Sequence, residues 1–466
     1  MRSALGPLVL LAFVLAIRSA RAEAPTSLPS DATLALLIQQ SLAARPELAR
    51  ARALVRANQQ RVPQAGAMPN PMLQVGMQND GFKSIEIGTM DTSYISFMAT
   101  QTFPWPGKRG LAEDIAETGV SQAQTGIVRA ELSTEAEVRK TYVDLLLARD
   151  RLQLLAKLEV LWQNALAQTR TLYQTGSGSQ SDMMRAELEL LRLRRRRLGL
   201  TTQERTSVQA LNRLRNHPLE EPIQTSLHLQ ELASPQTLTA TFQQEKAVER
   251  SPELAAARLG MTRYTRASEL AHRGYYPDLT VGAALMYRGS LPPMWQVTLG
   301  GPIPIFAGSN QSRAVDEAEE LASAAQNEAL ALKQLIRFRS KERQTAFAAA
   351  LENLDIYEQG LLVQSRATVE STLVQYRAGK VTFASVLEAN AGYLADEEGY
   401  LESIAEAHWL LIAEAEISLD PTPLSSAGGS NSSMPGAGSS SMSAGSASTS
   451  RASEPSTAAT GSSSGM

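Results

Sequence analysis

The chain has 466 residues, 44 basic and 47 acidic side chains, a net charge of −3 and no cysteine. Balanced charge supplies no field to gather nucleic acid, and the missing thiols exclude disulfides, thiolate metal sites, cysteine nucleophiles and a lipidated N-terminal cysteine. An apolar content of 43% is enough for a folded protein.

At the N-terminus, Met1-Arg2, an apolar run from Leu8 to Ile17 and the small-x-small site Ala20-Arg21-Ala22 predict a secretory leader over 1–22, cleaved after Ala22. The run falls short of the ~20 apolar residues that cross a bilayer. No later apolar run is long enough for a membrane-spanning helix. Short alternating strands of a barrel remain open, because they barely register in hydropathy.

Ser30-Asp31 precedes a helical pattern through Leu34, Leu37, Ile38 and Leu42, and Pro46 opens a second helix ending near Gly66. Leu73, Val75 and Met77 then alternate with Gln74, Gly76 and Gln78, the period of a strand with one apolar face. A polar loop from Asn79 to Thr92 leads to a second alternating run through Ile95, Phe97 and Ala99. The strand pair, 72–103, closes on the breaker Phe103-Pro104-Trp105-Pro106-Gly107-Lys108-Arg109. From Gly110 to Tyr173 there is no proline. Val138, Tyr142, Leu145, Leu152, Leu155, Trp162 and Leu166 step by three, four or seven, a coiled-coil spacing. A helix of roughly 65 residues would be on the order of 100 Å long.

That helix ends at Tyr173-Gln174-Thr175-Gly176, where a C-terminal cap wants a left-handed residue, and Ser181 or Asp182 is placed to cap a returning helix. Gly176-Ser177-Gly178 follows a helix, not a strand, so it does not read as a phosphate loop. The run Leu191 to Arg197 reads as a solvated helix face, since no nucleic-acid motif accompanies it. His217, His228, His272 and His408 lack ligand spacing and read as structural or surface residues. No nucleophile elbow, metal-binding helix or paired-acid motif supports an exported enzyme, and no cofactor is expected.

The plan then recurs. Arg45-Pro46-Glu47-Leu48-Ala49 matches Ser251-Pro252-Glu253-Leu254-Ala255, Pro71 matches Pro277, and Val75-Gly76 matches Val281-Gly282, all at one offset (252 − 46 and 277 − 71 are both 206). A second strand pair is expected over 278–305, with Leu279, Val281, Ala283 and Leu285 on one face and Trp295, Val297 and Leu299 on the next strand. Its breaker is Pro302-Ile303-Pro304-Ile305-Phe306-Ala307-Gly308. Phe347, Leu351, Leu354, Leu361, Val369, Leu373 and Tyr376 predict another long helix, ending at Tyr376-Arg377-Ala378-Gly379. These boundaries give a first repeat over 23–217, a connector over 218–235, a second repeat over 236–420, and a Ser/Gly-rich tail over 421–466 too polar to fold.

Four strands cannot close a transmembrane barrel, whose smallest members have ~8, and open edges cannot face lipid. If these strands enter a membrane, several copies must share one barrel. Tyr94, Trp105, Tyr287 and Trp295 suit an interfacial belt, and they suit packing in a soluble sandwich equally.

The duplicated Pro-Glu-Leu helix start, the Tyr-x-x-Gly tips and Val386-Leu387-Glu388-Ala389, together and in order, resemble the TolC-type outer-membrane efflux channels. The resemblance covers roughly Thr33 to Leu419. It implies an α+β membrane protein: a homotrimer whose twelve strands, four from each chain, form an outer-membrane β-barrel continued by a periplasmic coiled-coil tunnel. It implies that tips built from Tyr173, Gly176, Asp182, Tyr376 and Gly379 meet a periplasmic adaptor and an inner-membrane pump. It places Ser385 and Glu388 at the periplasmic gate, with serine where relatives often carry an acid. Pro104, Trp105, Pro106, Gly107, Pro302, Pro304 and Gly308 become barrel-to-helix joints. The segment Phe103 to Arg109 is most similar to the branch serving heavy-metal pumps of the resistance–nodulation–division class. Met68, Met72, Met77, Met90 and Met98 then read either as barrel packing or as a soft-metal path. A periplasmic adaptor is the alternative, although adaptors usually carry one hairpin and this chain predicts two.

Overall fold

The structure is a computed structural model, and it describes residues 31–422 apart from 177, 226, 233–241 and 243. The expected leader with Ala22, part of the connector and the tail beyond 422 lie outside the described residues.

Two short helices lead in. Helix α1 (Ala32–Ala44) is capped by Asp31, whose carboxylate accepts the Thr33 N–H at 3.2 Å and also the buried Tyr142 hydroxyl. Helix α2 (Pro46–Ala65) starts on proline, which lacks only an N–H that would have had no partner. Strands β1 (Met72–Gln78) and β2 (Tyr94–Phe103) form an antiparallel pair, and the chain then enters α3 (Lys108–Gln174), a single helix of 67 residues. It returns as α4 (Gln180–Leu214).

The same order follows again. Helices α5 (Gln244–Arg250) and α6 (Pro252–His272) lead to β3 (Leu279–Tyr287) and β4 (Met294–Gly300). Ser251 caps α6 by accepting the Leu254 N–H at 3.2 Å. The second long helix is α7 (Gln311–Ile356), a π-helical turn over Tyr357–Leu361, and α8 (Leu362–Arg377), returning as α9 (Phe383–Glu416). The element starts α3/α7 and α4/α9 are both 203 positions apart (311 − 108 and 383 − 180).

The π turn explains a slip in the apolar pattern. Phe347, Leu354 and Val369 are buried, but Leu361 is exposed, contrary to its expected place in the stripe. A π turn takes one more residue than an α turn, so the stripe resumes one position late. Tyr357 in that turn lies over Gly399, and Tyr400 donates to Glu358 at 2.9 Å, which fastens the turn to α9.

All four strands form one antiparallel sheet in the order β1-β2-β3-β4. Register pairs Val75 with Phe97, Phe97 with Leu285, and Leu285 with Trp295, so one face is apolar except at Gln101, opposite Val281. The other face carries Gln74, Ser96, Thr100, Thr280, Gln296 and Thr298, with Met72, Met98, Met286 and Met294. Leu73, Val75, Leu285, Trp295 and Leu299 are exposed. At the far end of the sheet Arg288 donates to the Asp91 carboxylate at 2.7 Å and joins the two interstrand loops.

Helix α4 packs along α3, α3 against α9, and α9 along α7 and α8. One core lies where α1, α3, α4, α7 and α9 meet, around Tyr142, Leu145, Leu211, Leu354 and Leu401. A second lies toward the tips, where Trp162 meets Phe383 edge to face at 6.1 Å, among Leu155, Leu158, Ala186 and Leu190.

Candidate functional site

The hairpin tips are set by backbone hydrogen bonding. After α3 the Gly176 N–H donates to Tyr173 O at 3.0 Å and the Gly178 N–H to Leu172 O at 2.9 Å, with Gly176 at φ +75°. After α8 the Gly379 N–H donates to Tyr376 O and the Lys380 N–H to Gln375 O, both at 2.9 Å, with Gly379 at φ +71°. The second pair is the Schellman arrangement, which satisfies helix-end carbonyls and needs a left-handed residue. Open space surrounds both glycines. Backbone conformation, not crowding, therefore selects glycine.

One sequence expectation changes here. The cap of α4 is Ser179, whose hydroxyl accepts the Ser181 N–H at 3.2 Å, so Ser181 and Asp182 fall in the first turn instead. Asp182 there still complements the helix dipole. Tyr173 is exposed, but Tyr376 is partly buried with its ring 5.4 Å from Phe383. Burial, and secondarily the Asp182 charge, holds the Tyr376 hydroxyl above its usual pKa.

Ser385 and Glu388 lie three residues apart on the first turns of α9, hence on one side. Ser385 is partly buried, with its hydroxyl 3.4 Å from that of Thr382. Glu388 is exposed and makes no ion pair among the described residues. Two residues that the sequence did not flag lie further along α9. Asn390 is buried and donates to Val386 O at 2.8 Å while its own side-chain oxygen has no partner among the described residues. Glu398 pairs with Arg196 across the hairpins. Arg197 pairs with Glu159 at 2.9 Å, so the basic run is partly neutralised within the chain.

The joints differ. Pro104 and Trp105 lead into a turn at Pro106 and Gly107, closed by the Lys108 N–H donating to Trp105 O at 3.1 Å, and Gly107 at φ +92° feeds the chain into α3. Trp105 stacks on Tyr276 at 5.1 Å, its backbone N–H donates to the Asp278 carboxylate at 2.9 Å, and Lys108 pairs with Asp278 at 2.8 Å. Asp278 was invisible as a joint residue because it precedes the other strand pair. The joint of Pro302, Pro304 and Gly308 has no such lock: Ile303, Ile305 and Phe306 are exposed, and Gly308 needs no left-handed backbone.

The five methionines do not form one path. Met77 points with Leu73 and Val75 to the apolar face, whereas Met72 and Met98 share the polar face, and Met68 and Met90 lie off the strands. Among the described residues no group of histidine, aspartate or glutamate is placed to hold a metal, and no helix is long and apolar enough to cross a membrane. The histidines have separate partners or none. His228 lies 2.6 Å from Asp150, His217 2.9 Å from Glu221 and His272 3.2 Å from Glu319, while both ring nitrogens of the buried His408 lack a partner among the described residues.

The fold is an exposed four-stranded sheet with one largely apolar face, carried on two very long helical hairpins. The sequence profile of the family described as "Outer membrane efflux protein" matches residues 37–217 and 244–403. The chain belongs to the outer membrane efflux protein family, whose members are non-enzymatic transport channels. Among solved structures it is similar to the outer-membrane channel OprN (18% identity, TM-score 0.69, covering 83% of this chain and 90% of that one). It is also similar to the outer membrane protein VceC of Vibrio cholerae (17%, 0.69, 84% and 98%) and to CusC (16%, 0.66, 84% and 93%). No curated protein matches the chain.

Proposed function

We propose that three copies of this chain form a passive export channel in the outer membrane of a Gram-negative cell. Each copy is built from two versions of one plan and gives four strands to a twelve-stranded barrel. Its hairpins continue the barrel as a periplasmic tunnel. The tips around Gly176 and Gly379 dock a periplasmic adaptor, and through it an inner-membrane pump of the resistance–nodulation–division class. Ser385 and Glu388 form the narrow end, with Glu388 as the charged ring.

The observation that carries this reading is the sheet. Its apolar face is exposed from β1 to β4, and its order leaves β1 and β4 as open edges. Lipid rewards the first and forbids the second unless neighbouring copies pair the edges. Fractionated cells, with the membrane protein run unboiled on a gel, test it. The expected result is an outer-membrane band that collapses to the monomer on boiling. Recovery as a soluble periplasmic monomer overturns the proposal.

A cargo that includes soft metal cations is a second reading. Met72, Met98, Met286 and Met294 on one polar face favour it, because thioethers are soft ligands. Loss of the protein should then sensitise cells to silver or copper ions. Unaltered metal tolerance removes this reading and leaves the channel.

A further inference from the structure

The polar face of the sheet admits one kind of large aliphatic residue. Every aliphatic side chain larger than alanine on that face of the four strands is a methionine: Met72, Met98, Met286 or Met294. The opposite face uses leucine, valine, isoleucine and aromatic residues, with Met77 its single methionine. Apolarity alone would not put thioethers on one face and hydrocarbon on the other. The four lie on a diagonal across the sheet. Met72 is two residues from Gln74, the partner of Met98; Met98 pairs with Ala284, two residues from Met286; and Met286 pairs directly with Met294. Directly opposed side chains start about 4.5–5.5 Å apart at their β-carbons, so the flexible Met286 and Met294 chains can bring both sulfurs to one ion. Both border a cavity of about 490 Å³ that opens beside Pro293, Trp295 and Gln296. Met98 is one diagonal step away. Its methyl lies over Gly282, where an added β-carbon would come within 3.0 Å of it, and Ala284 is too small to screen it from Met286. No carboxylate or imidazole stands on this face of the strands, so a hard divalent ion finds no anionic ligand there, whereas thioethers suit soft monovalent ions.

We infer that Met286 and Met294, with Met98 as a third thioether, form a binding site for a soft monovalent cation, Cu⁺ or Ag⁺, on the wall of the pore. The inference rests on the channel reading, which turns this face to the lumen, and it deepens the soft-cation reading by naming the ligands. Met72, a further diagonal step beyond Met98, lies outside the site. Packing does not account for the pair, because Met294 is 39% exposed and leucine would cover the strand equally well. Two neutral ligands, with a third reached by rotation of Met98, hold an ion weakly. A conduction path requires that, since an ion held tightly would not leave.

The absence of native cysteine removes the strongest competing soft ligand. The full chain is extracted from membranes in detergent and dialysed to equilibrium against silver nitrate in chloride-free buffer, and bound silver is counted per chain by elemental mass spectrometry. The parent is expected to hold one silver ion per chain more than the Met286→Leu, Met294→Leu double variant. Each single variant should lose that ion too, so the test survives if the double variant fails to assemble. Met98→Leu should weaken binding several-fold without changing the count, and Met77→Leu, on the apolar face, should bind as the parent does. Leucine is close to methionine in volume, and an unboiled gel band matching the parent verifies each variant. Equal silver in the parent and the leucine variants of the pair, or an equal loss in Met77→Leu, overturns the inference. The readings fail separately. A parent recovered as a soluble monomer removes the channel and the pore site together. Silver held by the pair in a protein whose loss leaves metal tolerance unaltered supports the site and removes only the cargo reading.

Discussion

Gly379 is held at φ +71° with empty space around the position of a side chain. A branched residue there costs ~1–2 kcal/mol through the backbone alone. Gly379→Val and Gly176→Val are expected to abolish efflux, measured by drug or metal tolerance, while assembled protein stays in the membrane. Unchanged tolerance in both variants would show that the tips are not the docking points. Glu388 is exposed and makes no ion pair among the described residues, and the proposed ring role predicts a charge effect. In planar bilayers Glu388→Gln should lower cation selectivity and remove block by divalent ions. A variant that conducts like the parent would place the constriction elsewhere. His408 is different: burial alone pushes its pKa down to about 4. Its folded pKa lies below the ordinary 6.5, so its contribution is intact above that value and is lost as pH falls. Between pH 8 and pH 5 that loss is ~2 kcal/mol. His228 acts in the opposite sense, because the hydrogen bond and charge of Asp150 raise its pKa; its contribution is lost as pH rises. Comparing the parent with His408→Leu isolates the His408 contribution. The melting temperature of the parent should fall further than that of the variant on going to pH 5, and parallel curves would contradict the assignment.

At the scale of elements, the π turn is the feature least legible beforehand. The sequence contains its trace, because Leu361 keeps the old phase and Val369, Leu373 and Tyr376 take the new one. Nothing local says whether such a skip is absorbed by a bulge or by a change of partner. Tyr357 and Gly399 decide it. A β-carbon on Gly399 would lie 2.9 Å from Cζ of the Tyr357 ring. Gly399→Ala should therefore cost ~1–3 kcal/mol by overpacking, seen as a lower melting temperature, and Tyr357→Phe should restore part of it. If Gly399→Ala melts like the parent, the ring does not fasten the turn. The joints show the same limit. Prolines and glycine marked both ends of the sheet, but the lock from Trp105 and Lys108 to Asp278 joins residues about 170 positions apart. The methionines show a reading that alternation could have corrected, since Met77 alternates in step with Leu73 and Val75.

For the whole molecule, the prediction is stoichiometry. Native mass measurement of the detergent-extracted protein should give three chains, held by strand edges. A single chain with the sheet intact would leave an apolar surface and two open edges without cover, so that result would sink the barrel.

Some of this was fixed by residue pattern alone, because period, helix caps and breakers act over a few residues. Alternation marked four strands, three-and-four spacing marked the long helices, and Gly176 and Gly379 marked the tips. The duplicated offset pointed to one plan used twice. Tertiary structure decided what those signals leave open. It set the sheet order, which joins the halves through β2 and β3; it chose Ser179 over Ser181 or Asp182 as the cap; and it buried Leu401 while leaving Leu198 bare. The reason is physical: local sequence determines which side of an element is apolar, but only packing against the rest of the chain determines which apolar sides are already covered.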